Sequence, residues 1–326
     1  MLYPIKFKPR VKERIWGGKA ILERKGKAVS RLAKDKLYGE SWDLSSVKGD
    51  ISVVANGMLK GNNLEEIIEV YMGELVGEQN FERYGLEFPL LIKYLDCNDR
   101  LSVQVHPNDE LAEERHQSFG KTEAWYIAEC KEGAAIYLGF KDLNITREEY
   151  IAAVAESRLE SMLNRVEVKK GDCFFIPSGM LHAIGKGCLI AEIQQNSDLT
   201  YRVYDYERRD AQGNLRELHT EKALKVIRPF TDEEVDAIRF PTNDRIGVGE
   251  CLASCKYFNV NRLCVDGEES LNAGESFYSL LCVEGGGEII HDDKAYGIKK
   301  GDSYFLPANS GECKLVGKFT VLISRE

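Results

Sequence analysis

The sequence contains little histidine, no Cys-x-x-Cys pair and no long hydrophobic run. Its nine cysteines are an odd number scattered along 326 residues, so we do not expect a disulfide framework. No window approaches the length needed to span a bilayer, and the first residues have the features of neither a signal peptide nor a transit peptide. We therefore expect a cytoplasmic protein that has no membrane partner.

Basic residues are also fewer than acidic ones. The 44 lysines and arginines face 53 acidic residues, which gives a formal net charge of −9. This balance argues against a nucleic-acid or anionic-membrane partner. It does not exclude an anionic small molecule, because a few local cations can dominate a pocket. The length permits two domains, and we predict 1–240 and 241–326, with a boundary near 235–245.

An internal repeat indicates two related domains. Lys169-Lys-Gly-Asp-Cys-Phe-Phe-Ile-Pro177 recurs as Lys299-Lys-Gly-Asp-Ser-Tyr-Phe-Leu-Pro307. Upstream, Glu123-Ala-Trp-Tyr recurs as Glu275-Ser-Phe-Tyr. Two copies of a strand–turn–strand pattern predict a mainly β protein built from two jelly-roll β-barrels. Helical insertions are expected in and around the first barrel, at about 63–77, 146–164 and 220–227, with a short connector from 231.

A strictly alternating stretch carries the first candidate metal ligands. In Leu101-Ser-Val-Gln-Val-His106 the apolar residues fall on one face of a strand, while Ser102, Gln104 and His106 fall on the other. Polar side chains cannot lie in a dry interior without partners. This polar face should therefore line a cavity.

Two further residues complete a candidate metal site. Glu123 heads an apolar strand, and His182 follows a turn–strand–turn unit. With Gln104 and His106 they form a nitrogen and oxygen ligand set that suits a divalent metal and leaves room for a substrate. A lone histidine is more often an ordinary hydrogen-bonded residue, but two on such units beside a carboxylate favour a shared site. The other histidines lack partners at a useful spacing and are expected at the surface: His116, His219 and His291.

The second copy of the repeat lacks these ligands. The position aligned with His106 falls near Phe258, and the position of His182 falls in Ala-Asn-Ser-Gly-Glu at 308–312. We therefore expect the first barrel to hold the metal and the second to keep only the fold.

Seven motifs follow one another through the first 205 residues. They are Arg14-Ile-Trp-Gly-Gly, Gly39-Glu-Ser-Trp, Phe88-Pro-Leu-Leu-Ile-Lys, Leu101-Ser-Val-Gln-Val-His-Pro-Asn-Asp, Gly120-Lys-Thr-Glu-Ala-Trp-Tyr, Pro177-Ser-Gly-Met-Leu-His-Ala-Ile-Gly and Glu192-Ile-Gln-Gln-Asn-Ser-Asp-Leu-Thr-Tyr-Arg-Val-Tyr-Asp205. In number and order they resemble the type I mannose-6-phosphate isomerases of the short bacterial kind, members of the cupin superfamily. The resemblance is strong over about 10–230 and weaker beyond.

The resemblance implies a fold, a cofactor and an activity. The fold is a pair of cupin barrels, and the cofactor is one Zn²⁺ per chain, although Mn²⁺, Co²⁺ or Fe²⁺ could occupy such a site. The implied reaction interconverts mannose 6-phosphate and fructose 6-phosphate through an enediol. By resemblance the metal ligands are Gln104, His106, Glu123 and His182, and the other active-site positions are Arg202, Lys121, Glu192, Ser102 and Lys93.

The sequence leaves the roles of these residues partly open. A general base must reach the proton on C2, and Glu192 and Lys121 are both candidates. Arg202 offers a fixed fork for a phosphate or a developing oxyanion, and Ser102 and Lys93 are the further candidates for the phosphate.

Each of these residues also has a structural alternative. Lys93 could extend from a barrel rim, and Glu192 could pair with an arginine within 206–209. Lys121 could lie in a solvated turn, and Arg202 could form a structural salt bridge.

The function has alternatives as well: an Fe²⁺-dependent cupin oxygenase, or a non-catalytic sugar-binding cupin. The presence together of Arg202, Lys121 and Glu192 favours the enzyme, because binding alone would not need all three. We expect a sugar phosphate as the small-molecule partner, and a monomer or weak homodimer.

Overall fold

The computed structural model describes residues 2–209, 213–241 and 248–326, and the regular secondary structure of these residues is mainly β-strand. The first part of the chain contains the strands β1 (Phe7–Lys8), β2 (Arg10–Gly18), β3 (Tyr38–Leu44), β4 (Val53–Val54), β5 (Leu90–Cys97), β6 (Val103–Val105), β7 (Glu123–Cys130), β8 (Ala135–Phe140), β9 (Leu163–Glu167), β10 (Cys173–Ile176), β11 (His182–Ile184), β12 (Cys188–Gln195) and β13 (Tyr201–Tyr204). The second part contains β14 (Glu250–Ser254), β15 (Asn259–Asn272), β16 (Tyr278–His291), β17 (Lys294–Lys299), β18 (Ser303–Leu306) and β19 (Glu312–Arg325). The helices are α1 (Ala20–Lys25), α2 (Leu64–Tyr71), α3 (Gly73–Val76), α4 (Glu78–Tyr84), α5 (Asp109–His116), α6 (Arg147–Ala155), α7 (Thr220–Leu224) and α8 (Asp232–Arg239).

Two antiparallel sheets form the first barrel. One has the order β10-β7-β12-β5-β3-β2, and the other has the order β13-β6-β11-β8-β9. Buried side chains from both sheets, among them Trp125, Ile136 and Ile184, form one hydrophobic core between them. This arrangement is the predicted jelly roll, with its polar sites carried on the inner faces.

The second barrel repeats the strand order of the first. Its strands β18-β16-β19-β15-β14 are hydrogen-bonded in the same sequence as β10-β7-β12-β5-β3. The repeated turns also match, since Asp172 and Asp302 each accept a hydrogen bond from the backbone three residues earlier, at 2.7 and 3.2 Å. Gly171 and Gly301 adopt nearly the same left-handed backbone, with φ of +93° and +90°, which favours glycine at both turns. The predicted repeat is therefore confirmed.

The register of the strands corrects one part of the predicted repeat. Glu123 lies opposite Ile176, and the matching residue Leu306 lies opposite Tyr278. The structural counterpart of Glu123 is therefore Tyr278, not Glu275, which lies in the preceding turn. The sequence match was wrong by three residues because it could not measure how far the turn extends before the strand begins.

Successive side chains of a β-strand point to opposite faces of the sheet. The sheet of the second barrel therefore packs one face against the first barrel and the other against its own interior. On β16, Leu281 and Val283 face the first barrel, while Leu280 and Cys282 face the interior of the second. The carbonyl of Cys282 accepts a 3.1 Å hydrogen bond from the hydroxyl of Tyr94 on β5. The repeats also exchange ion pairs at equivalent positions: Lys170 with Glu284, and Lys300 with Glu129.

Three of the expected helix starts are confirmed, because α2, α6 and α8 begin directly after capping boxes at Asn63, Thr146 and Thr231. The helix expected over 63–77 is broken at Met72, whose φ of +46° ends α2 before α3 begins. The insertion expected at 146–164 is α6 followed by a short 3₁₀ turn.

Part of the boundary region, 242–245, lies outside the described residues, so the division into 1–240 and 241–326 stays a prediction. Among the described helices, none combines the length and apolarity needed to cross a membrane.

Candidate metal centre and adjoining cavity

His106, Glu123 and His182 meet at one buried point inside the first barrel. Their candidate ligand atoms all lie within 4.8 Å of one another. The Nε2 atoms of the two histidines are 3.1 Å apart, and Glu123 Oε1 is 3.3 Å from His106 Nε2. His182 begins β11 and Glu123 begins β7, so the two facing sheets both contribute. The structure thus brings together three of the four predicted ligands.

The hydrogen bonds of the two histidines fix how their rings are protonated. His106 Nδ1 is 2.8 Å from the carbonyl of Leu199, and His182 Nδ1 is 2.8 Å from the carbonyl of Met180. Because a carbonyl can only accept, each Nδ1 carries the hydrogen and each Nε2 presents a lone pair. Burial and the charge of Lys121 lower the pKa of His106 to about 3, and burial also lowers the pKa of His182. Two neutral imidazoles with facing lone pairs are the arrangement that a metal cation requires.

Glu123 adds an anionic oxygen ligand. Burial alone raises the pKa of its carboxyl group, but the charge of Lys121 opposes this effect, and the pKa is held well below its usual range. Within the described part of the chain, neither oxygen accepts a hydrogen bond of regular geometry, although Lys121 Nζ is 2.6 Å from Oε1. A buried carboxylate without full hydrogen bonding is costly unless it is paired or binds a metal. The donor set therefore fits a divalent cation, and the prediction of a metal site is confirmed.

A cavity of about 400 Å³ adjoins the metal centre. Every remaining residue predicted for the active site contributes to its wall: Lys93, Ser102, Gln104, Lys121, Glu192 and Arg202. Four of them belong to two cross-strand rows, because side chains of register partners lie side by side. Arg202, Gln104 and His182 form the row across β13, β6 and β11, and Lys93, Glu192 and Trp125 form the row across β5, β12 and β7.

Lys93 and Glu192 form a buried ion pair on the second of these rows. Lys93 Nζ is 2.7 Å from Glu192 Oε2, and the indole of Trp125 donates a 2.9 Å hydrogen bond to Oε1. Burial, reinforced by the charge of Lys121, lowers the pKa of Lys93 to about 7. Lys93 therefore does not extend from a rim, and the partner of Glu192 is this lysine, not an arginine of 206–209. Lys121 is only 4% exposed, so it is not a solvated turn residue.

Arg202 is held in place by Glu217 and His219. Its Nη1 donates a 2.9 Å hydrogen bond to the carbonyl of Glu217, and its backbone amide donates to His219 Nδ1 at 3.0 Å. Its Nε is buried and donates to no atom of the described residues. Within those residues no carboxylate lies within ion-pair distance of its guanidinium, so the structural salt bridge considered as an alternative is not found there.

Several charged residues of the cavity wall have no role predicted from the sequence. Glu40 accepts hydrogen bonds from Arg14 Nε at 2.8 Å and Trp42 Nε1 at 2.7 Å. Burial opposes ionisation of Glu40, but the charges of Lys93 and Arg14 lower its pKa to about 2. The sequence pattern that could have identified this part of the cavity wall is the alternation of Lys12, Arg14 and Trp16 along β2. Arg216, which also lines the cavity, lies outside regular secondary structure, so no periodicity marks it.

The expectation that the other histidines are surface residues is wrong for His291. This residue is buried, and its Nε2 is 2.6 Å from the carbonyl of Ser310. His116 is half-buried and its Nε2 is 2.8 Å from the hydroxyl of Tyr201.

Comparison with known proteins shows where the chain belongs. Residues 5–141 match the family model described as phosphomannose isomerase type I, catalytic domain, and residues 250–326 match mannose-6-phosphate isomerase, cupin domain. The chain is 40% identical to mannose-6-phosphate isomerase ManA of Bacillus subtilis over 98% of both sequences. It is 33% identical to mannose-6-phosphate isomerase of Streptococcus mutans, over 99% of this chain and 98% of that protein.

Comparison with solved structures points to the same family. The crystal structure of mannose 6-phosphate isomerase from Bacillus subtilis superposes with a TM-score of 0.84 at 35% identity and covers 100% of both chains. This match confirms the predicted cupin fold, and the full-length sequence matches confirm the resemblance. The chain therefore belongs to the type I phosphomannose isomerase family of enzymes.

Proposed function

We propose that this protein is a metal-dependent aldose–ketose isomerase that interconverts mannose 6-phosphate and fructose 6-phosphate. The supporting observation is the buried cluster of His106, Glu123 and His182 beside a cavity that also contains candidate acid–base groups and arginine. The relatives that match the whole length carry the name of this activity. They favour the isomerase over an oxygenase or a non-catalytic sugar-binding cupin.

Zn²⁺ is the metal that we propose, held by His106, Glu123 and His182, with Gln104 as the fourth ligand. Gln104 is the register partner of His182 and lines the cavity, which supports its inclusion. Imidazole and carboxylate donors suit Zn²⁺, although Mn²⁺, Co²⁺ and Fe²⁺ accept the same atoms. A bound divalent cation supplies polarisation of the carbonyl and hydroxyl oxygens of the open sugar.

The chain's own residues would transfer the proton. Isomerisation moves a proton between C2 and C1 through an enediol, and Glu192 and Lys121 are the proposed groups. The ion pair with Lys93 and the hydrogen bond from Trp125 orient the Glu192 carboxylate at the cavity wall. Lys121 forms an ion pair with Glu123 and lines the same cavity as Glu192. Both side chains are nearly inaccessible to solvent, which limits exchange of the transferred proton with water.

Three residues are proposed to contact the substrate. Arg202 presents a rigid guanidinium that can stabilise negative charge on an oxyanion or phosphate. Ser102 and Lys93 line the same cavity and are proposed as further phosphate partners. The partner is thus a small sugar phosphate, and a monomer or weak homodimer is sufficient because all these residues belong to one chain.

The reaction and its metal are tested together. Mannose 6-phosphate is incubated with the purified protein, fructose 6-phosphate is measured, and the assay is repeated after chelation and after addition of Zn²⁺. We expect turnover that is lost with the chelator and restored by zinc. No turnover by the fully metallated protein would refute the proposed reaction, and turnover unaffected by complete metal removal would refute the metal dependence.

A further inference from the structure

The cations on most of the cavity wall are each matched by one carboxylate. The four pairs have nitrogen–oxygen distances of 2.6 to 2.8 Å, and they are Lys12–Asp50, Arg14–Glu40, Lys93–Glu192 and Lys121–Glu123. A cation in such a pair carries little uncompensated charge, so these parts of the wall have a weak net attraction for an anion.

The wall around Arg202 is different, because two arginines share the one buried carboxylate of Asp205 and Arg202 has no ion-pair partner among the described residues. Asp205 accepts hydrogen bonds from Arg208 Nη2 at 2.5 Å and from Arg216 Nε at 2.6 Å. Burial opposes ionisation of Asp205, but the two arginines lower its pKa. Asp198 also lines the cavity, but its side chain is exposed to solvent. Arg208 also lies 4.0 Å from the exposed carboxylate of Asp99. Within the described residues the three arginines still carry more charge than the two carboxylates paired with them.

The backbone holds two of these arginines close together. The carbonyl that Arg202 Nη1 binds belongs to Glu217, the residue directly after Arg216. Burial and the nearby charge of Arg216 lower the pKa of Arg202, which is consistent with two guanidinium groups in mutual repulsion. An anion between them would relieve that repulsion.

Donors are available for such an anion. Arg216 uses Nε and Nη2 on Asp205. Among the described residues its Nη1 has no acceptor, so this group is available to a ligand in the cavity that Arg216 lines. Arg202 has a buried Nε that donates to no atom of the described chain. Arg208, in contrast, does not line the cavity, and its Nη1 donates to the carbonyl of Arg100.

We propose that Arg216 binds the phosphate of the substrate together with Arg202, and that Asp205 is a positioning residue that holds Arg216 for this purpose. This inference rests on the proposed function, since it gives the substrate's phosphate a definite place in the same cavity. A phosphate monoester carries between one and two negative charges at neutral pH, which complements the excess positive charge of this arginine cluster. The same chemistry would accept free inorganic phosphate.

Arg216→Gln removes the cavity cation, and Arg208→Gln is the matched control. Both substitutions remove an arginine from Asp205, but only Arg216 reaches the cavity. We expect Arg216→Gln to raise KM for mannose 6-phosphate by about 10- to 100-fold, the loss typical of hydrogen bonds to a charged group. The value of kcat should change far less. Calorimetric titration with inorganic phosphate should show a matching loss of affinity, while Arg208→Gln should retain wild-type KM and phosphate affinity.

Asp205→Asn tests the positioning role. It should raise KM by a smaller factor than Arg216→Gln, with kcat again nearly unchanged. Unchanged KM and phosphate affinity in Arg216→Gln would overturn the proposal, and so would equal effects of Arg208→Gln, which would indicate general disruption of the loop. If the wild-type protein binds phosphate through Arg216 but does not isomerise mannose 6-phosphate, the anion site stands and only the proposed reaction fails.

Discussion

Tyr278 occupies in the second barrel the position that Glu123 occupies in the first. Each residue starts the strand that pairs with the repeated motif, opposite Leu306 and Ile176 respectively. Tyr278 packs in an apolar core, whereas Glu123 faces two histidines. The second barrel therefore retains the fold and replaces a metal ligand by a core residue, and the chain should bind one metal.

Removal of one histidine tests the metal centre. His106→Ala deletes an Nε2 donor and leaves Glu123 and His182 with an incomplete ligand set, so metal content should fall from one per chain towards zero and activity should be lost. Elemental analysis after dialysis measures the metal. His291→Ala is the matched control, because His291 is a buried histidine of the second barrel. Full metal occupancy in His106→Ala would contradict the ligand assignment.

Arg202→Ala separates charge stabilisation from metal binding. The guanidinium is held by the Glu217 carbonyl and contacts none of the three clustered ligands. We expect normal metal content with kcat reduced by about 10²–10³-fold, the range found when a group that stabilises transition-state charge is removed. Steady-state kinetics and elemental analysis of the same preparation provide both values. An unchanged kcat would remove Arg202 from the chemical step.

Glu40 should make stability depend on pH in the acidic range. Its pKa is about 2 in the folded protein against an ordinary 4.5, so the unfolded chain binds the proton first as pH falls. The stabilisation is complete above about pH 4.5 and is lost as pH falls towards 2, amounting in total to about 3 kcal/mol. Glu40→Gln should remove this component of the pH dependence.

Urea unfolding of metal-free protein at a series of pH values from 6 down to about 2.5 measures the effect of Glu40, because this window spans the two pKa values. Glu13→Gln, at an exposed position of the adjacent strand β2, is the control. If the wild type and Glu40→Gln lose stability in parallel as pH falls, the ionised Glu40 does not stabilise the fold.

Strand periodicity and the internal repeat made much of this architecture predictable. The alternation around Gln104 and His106 correctly placed polar groups on a cavity face, because side chains on a strand must alternate. Helix α1 was not predicted, because Lys19 provides no side-chain cap. The burial of this helix also depends on contacts with the second barrel. Arg216 was missed for a similar reason: an irregular segment has no period, and its position is set by Asp205. The register of Tyr278 depends on turn length, which sequence similarity alone does not measure.

The contact between α1 and the barrels gives the last prediction. Lys25 Nζ lies 2.6 Å from Asp43 Oδ1 and donates to the carbonyl of Gly301 in the second barrel at 2.6 Å. Both charged side chains are buried. Lys25→Met would leave the carboxylate of Asp43 with the 3.1 Å hydrogen bond from Ser41, and removal of one partner of a buried pair typically costs about 3–5 kcal/mol.

Urea unfolding should show this loss for Lys25→Met, and the double variant Lys25→Met/Asp43→Leu should recover much of it, because no unpaired charge then stays buried. Lys36→Met is the control, since its ion pair with Glu13 is exposed. If the single and double variants are equally destabilised, the loss comes from packing or from the bond to Gly301 and not from the isolated carboxylate. If Lys25→Met unfolds at the wild-type urea concentration, the buried pair does not stabilise the junction of the two barrels.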